Sequence, residues 1–135
     1  MEESLKKFLL YTAPTGEIRV DVLLQDEMLW LSQKAIAELF GVVKSTVSEH
    51  LTNIYTTHEL EETSTVRKIR TLQTEGNRKV NRDLEYYNLD AIISVGYRVN
   101  SAKATQFRIW ATQALKEYII KGFVLDDNRL KQGQA

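Results

Sequence analysis

A chain of 135 residues with 43% hydrophobic side chains and zero net charge makes one domain with one ordinary core, without the overall positive charge of a strongly basic nucleic-acid binder. The absence of cysteine excludes disulfides, thiolate metal ligands and a cysteine nucleophile, and it fits a reducing cytoplasm. No apolar run approaches the ~18 residues of a membrane span, and residues 1–10 are too short and begin too acidic for a signal peptide, so a soluble cytoplasmic protein is expected.

In chain order, residues 6–24 read as a β-hairpin. Ile18, Val20, Val22 and Leu24 alternate with Arg19, Asp21 and Leu23, and Pro14-Thr15-Gly16 supplies the turn. "MLWLS" leads from there into helical periodicity. Ser32 is the N-cap of a helix with Ile36, Leu39 and Phe40 inward, ending at Gly41. A second helix starts at about Ser45 and turns Val47, Leu51 and Ile54 inward. "HELEETS" is an acidic connection.

A second hairpin follows, turning at Glu75-Gly76-Asn77, with Val80, Leu84 and Tyr86 on one face of its return strand. Val66, Ile69 and Leu72 on the outgoing strand are three apart, a helical spacing, but the glycine turn and the β-branched content favour a strand. Asn88 caps a short helix. Ser101 caps a longer one, ended by Gly122, whose stripe is Phe107, Trp110, Ala111, Ala114, Leu115, Tyr118 and Ile119. Residues 1–124 form the expected domain, and 125–135 a polar tail or the start of a linker.

The stretch 33–54 has the pattern of a helix-turn-helix. With Gln33 as its first position, Ala37 stands fifth, where two crossing helices need a small residue. Gly41 stands ninth, at the turn, and Val42 and Val47 pin the second helix to the first. Val43 stands where a Ser or Thr cap is usual, and His50 where an apolar residue is common. The outer face of the second helix offers Lys44, Ser45, Thr46, Ser48, Glu49 and Thr52 to base edges in a major groove.

That helix carries little positive charge. The charge lies further on, for residues 64–82 hold six basic side chains and one acidic, a net of +5. Arg67, Lys68, Arg70, Arg78, Lys79 and Arg82 thus make the second hairpin the candidate phosphate grip, in the place of the wing of a winged-helix protein. Six phosphate contacts would give log K against log salt a slope of roughly −5. Arg98, Lys103 and Arg108 are further candidates for phosphate contacts. The bland alternative is a solvated hairpin paired with acids of the same molecule.

Three stretches, "LWLSQKAIAELFGVVKSTVSEHLTNIY", "ELEETSTVRK" and "YYNLDAIISVGYRVNSAKATQFRIWATQALKEYIIKGFVLDD", resemble the RhuM family of bacterial proteins, over about Leu9 to Leu130. The family is generally described as DNA-binding, and its members are usually longer than this chain. The segment 101–123 is also similar to the end of phage antirepressor Bro-type N-terminal domains. Phe107, Arg108, Ile109 and Trp110 stand there in place of an "FRRW" segment. Both resemblances imply a DNA-binding role.

The expected protein is an α+β, winged-helix-like helix-turn-helix domain with an N-terminal hairpin, a basic second hairpin and two C-terminal helices. It binds double-stranded DNA as a homodimer and regulates transcription, with no cofactor, metal or membrane. The rival reading is an antirepressor-like module that binds another regulatory protein and keeps the helix-turn-helix as scaffold. No enzyme is expected. His50 and His58 are the only histidines, and neither a phosphate loop nor a set of metal ligands accompanies them.

Overall fold

The computed structural model describes residues 7–133, with side chains to 121. Residues 1–6, 134 and 135 lie outside the described residues, as do the side chains of the expected tail. Strands β1 (Lys7–Thr12), β2 (Arg19–Gln25) and β3 (Met28–Ser32) are followed by helices α1 (Gln33–Phe40), α2 (Lys44–Thr56) and α3 (Glu62–Thr65). Then come β4 (Val66–Glu75), β5 (Arg78–Asn88), α4 (Leu89–Val99) and α5 (Ser101–Gly133). The architecture is α+β, as expected, but the two hairpins are not separate. They belong to one antiparallel five-stranded sheet of order β1-β2-β3-β5-β4.

Strand β3 joins them, in the stretch that reads as a lead-in to helix. It turns back from β2 through Asp26 and Glu27, both in the left-handed region at φ 55° and 58°. Such a two-residue turn matches strand twist, but its usual sequence markers are Asn and Gly, and this one has neither. Across β3, Trp30 pairs with Leu23 on one side and with Asn88 on the other.

Strand periodicity then assigns two faces. Val20, Val22, Leu24, Leu29, Leu31 and Tyr87 face the helices and share the main core with Ile36, Phe40, Val47, Leu51, Ile54, Ile92 and Phe107. Leu23, Trp30, Ile69 and Tyr86 form a smaller cluster on the opposite face. The Arg67 guanidinium covers it, 4.4 Å above the Trp30 ring and 2.6 Å from the Asp26 carboxylate. The spacing of Val66, Ile69 and Leu72 is explained by these faces. Ile69 enters the small cluster, and its odd-numbered spacing sends the other two to the opposite face, where Leu72 is 59% exposed.

The helix signals hold at α1, α2 and α4. Ser32 Oγ accepts from the Ala35 amide at 3.2 Å, and Gly41 closes α1 at φ 71°, a conformation that side chains with a Cβ resist. Asn88 Oδ1 accepts from the Ala91 amide at 3.1 Å and caps α4. Three other readings are corrected. "HELEETS" runs into the short helix α3, which begins at Glu62 and ends at Thr65. The side chain that caps α5 belongs to Asn100, whose Oδ1 accepts from the Lys103 amide at 3.1 Å, rather than to Ser101. Gly122 does not end α5, which continues to Gly133. A glycine inside a helix costs only ~1 kcal/mol, and it stops a helix only where the chain turns left-handed.

Candidate nucleic-acid interface

Helix α2 is positioned from below. Val47, Leu51 and Ile54 are buried, and this fixes which face looks outward. On that face Lys44, Ser45, Ser48, Glu49 and Thr52 are exposed, and Thr46 is half-buried. The six sequence candidates therefore share one helix. The Thr52 hydroxyl is already engaged, donating to the Ser48 carbonyl at 3.0 Å. Val43, extended at ψ 158°, gives α2 no side-chain cap, so no side chain occupies the amides of its first turn.

Behind this helix, α4 and α5 add cations. The Arg98 guanidinium donates to Glu59 at 2.9 Å, tying α4 to the end of α2. This hydrogen bond holds the Glu59 carboxyl below the usual carboxylate range. The pair's contribution is therefore present above the ordinary glutamate value and fades as pH falls through the lowered one. Arg108 Nε donates to the Tyr97 hydroxyl at 3.3 Å, and this pulls the phenol's pKa below its ordinary value. Lys103 stands at the α1–α2 turn, because a Cβ placed on Gly41 would lie 3.4 Å from its ammonium. The His50 Nδ1 is buried and has no hydrogen-bond partner among the described residues.

The basic hairpin leaves the sheet. β3 pairs with β5 only at Tyr86, Tyr87 and Asn88, while β4 and β5 stay paired out to Glu75 and Arg78. Beyond Tyr86 the two strands pair only with each other, as a ribbon, over eight residues of β4 (Lys68–Glu75) or ~27 Å, although Ile69 still packs into the small cluster. The hairpin's six cations divide into two groups. Arg67 is held by Asp26 at 2.6 Å, Arg70 by Asp83 at 3.1 Å and Arg82 by Glu75 at 2.7 Å. The carboxylates hold the Arg70 and Arg82 pKa values above ordinary, through hydrogen bonding first. Lys68, Arg78 and Lys79 are exposed and make no ion pair among the described residues.

Sequence reading placed all six cations on this hairpin but missed what binds three of them. Asp83 faces Arg70 directly across the ladder, which the turn position already implied. The Asp26–Arg67 pair depends on β3 and β5 lying side by side, and no local signal announces it. Among the described residues no cluster of histidine and carboxylate side chains has the makings of a metal site. Nor is any helix long and apolar enough to cross a membrane.

No curated protein and no solved structure matches this chain. A family model does. It covers residues 64–135, which hold the ribbon, α4 and α5, and leaves α1 and α2 outside the match. By this match, over more than half its length, the chain belongs to the virulence protein RhuM family.

Proposed function

We propose that this chain is a DNA-binding regulator, not an enzyme, that grips duplex backbone with the ribbon and reads bases with α2. The observation that carries the reading is the two-stranded ribbon of β4 and β5, which bears six cations against three acids, Glu75, Asp83 and Glu85. In this reading the ribbon is a wing in the winged-helix sense, with the unpaired Lys68, Arg78 and Lys79 meeting phosphates first. Lys44, Ser45, Thr46, Ser48, Glu49 and Thr52 supply the base contacts, and the uncapped amides of α2 suit a phosphate beside them. Lys103, at the α1–α2 turn, adds to the same side.

One such helix reads only a few base pairs, so a two-fold pair of chains is part of the proposal. Ile109 and Ile120, 61% and 53% exposed on α5, supply an apolar stripe for that pairing, since three turns return them to one side of the helix. The internal pairing of Arg67, Arg70 and Arg82 favours the second reading, a module that binds a regulatory protein and leaves DNA alone.

Selection of bound duplexes from a random pool tests the proposal. The expected result is an inverted repeat whose half-site preference changes for the Ser45→Ala/Glu49→Gln variant. Enrichment of no sequence by the folded protein speaks against base reading, and capture of single half-sites speaks against the pair.

A further inference from the structure

The Arg82–Glu75 contact differs in kind from a loose surface pair. Arg82 Nε donates to one Glu75 carboxylate oxygen and Nη2 to the other, both at 2.7 Å. Two parallel hydrogen bonds from a guanidinium are also the geometry with which arginine grips a phosphate. Both side chains lie on the same face of the ribbon and are about half exposed, at 53% and 45%. Phosphate therefore has access to the guanidinium once the carboxylate moves.

We propose that Glu75 is a resident stand-in for a backbone phosphate, keeping Arg82 in gripping geometry and yielding its place when the ribbon meets DNA. The inference rests on the DNA-binding reading above and assigns Glu75 a specific part in it. Exposed ion pairs are weak, so the exchange is easy. The displaced carboxylate nevertheless stays beside the phosphate and repels it, and Glu75 thereby sets the affinity and salt dependence of the ribbon. Arg82 also holds the Glu75 carboxyl below the usual carboxylate range, so the competitor remains ionised in mild acid.

The test is a four-way comparison of the full chain, Glu75→Gln, Arg82→Ala and the double variant. Each is titrated against random-sequence duplex DNA at several salt concentrations, with circular dichroism to verify folding. Glu75→Gln is expected to bind roughly five- to tenfold more tightly, with a slope of log K against log salt that steepens by less than the about 0.9 of a whole phosphate contact, because Arg82 meets the phosphate in both proteins and only the competing carboxylate is gone. In the Arg82→Ala background the same substitution should gain about twofold or less, because only general repulsion is then relieved. An equal gain in both backgrounds, or none in either, overturns the proposal. Failure of every variant to bind removes the DNA-binding reading itself, and this inference falls with it. That outcome is distinct from the others, which all require bound DNA.

Discussion

Phe107→Ala is expected to lower the unfolding free energy by about 3–5 kcal/mol, a large part of the ~5–15 kcal/mol that holds a domain of this size. Phe107 is fully buried, and it is the largest of the wholly enclosed side chains. Its ring meets the Tyr11 ring edge-on, with centroids 5.0 Å apart and planes at 86°. Trp110 completes a triad, 5.0 Å from Tyr11 and 5.6 Å from Phe107. Tyr11 lies on the edge strand β1 and the other two rings lie on α5, so the triad fastens the last helix across the first strand. Truncation loses burial, leaves a cavity and breaks the aromatic contacts together. Ile109→Ala, two residues away but 61% exposed, should change stability by no more than about 0.5 kcal/mol. Urea unfolding of the two variants checks the contrast, and similar midpoints would contradict this account of the core.

Gly96→Ala is expected to destabilise despite the better helix propensity of alanine. A Cβ there would lie 2.5 Å from Phe40 Cζ and 2.7 Å from Ala104 Cβ. Phe40 is 2% exposed and Ala104 is wholly buried, so neither has room to give way. Ala104 Cβ is fixed to the α5 backbone, and relieving the clash means separating α4 from α5. Propensity returns at most ~1 kcal/mol. Overpacking costs about 1–3 kcal/mol or more, and with an unyielding neighbour on α5 the upper end applies, leaving a net loss of about 2 kcal/mol. The Gly96→Ala/Ala104→Gly double variant should lose less than the sum of its single changes, because the second change vacates the space that the first one fills. Strict additivity in thermal unfolding would mean that α4 and α5 do not meet at this glycine.

Both predictions concern contacts that sequence patterns reach only in part. The apolar stripe of α5 is legible from Phe107, Ala111 and Ala114, because helical burial repeats at short range. That Phe107 meets Tyr11 is not, since the two are brought together only by the tertiary fold. The same holds for the sheet. Each hairpin announces itself through alternation and a turn. β3 hides behind an Asp-Glu turn that lacks the usual residues, and its pairing with β5 spans more than fifty positions. For α5, the glycine at 122 reads as a stop, although its cost within a helix is small. At the candidate interface, residue type and position identified the outward face of α2 and the cations of the ribbon. The carboxylates that occupy Arg67, Arg70 and Arg82 emerge only when strands are in register, and they lower the number of cations ready for phosphate.

That smaller number sharpens the central claim into a measurable quantity. Lys68, Arg78 and Lys79 are exposed and unpaired among the described residues, and with Arg82 once Glu75 yields they make four phosphate contacts, which give a salt slope of roughly −4 in place of the roughly −5 expected for six on the ribbon. The measurement is fluorescence anisotropy with random-sequence duplex DNA at about 50 and 200 mM salt, for the native chain and for the folded Lys68→Glu/Arg78→Glu/Lys79→Glu variant. Binding in the micromolar range that weakens on the order of a hundredfold between the two salts, and is lost in the variant, is the predicted result. No binding at the lower salt, or binding that the variant leaves unchanged, would contradict it.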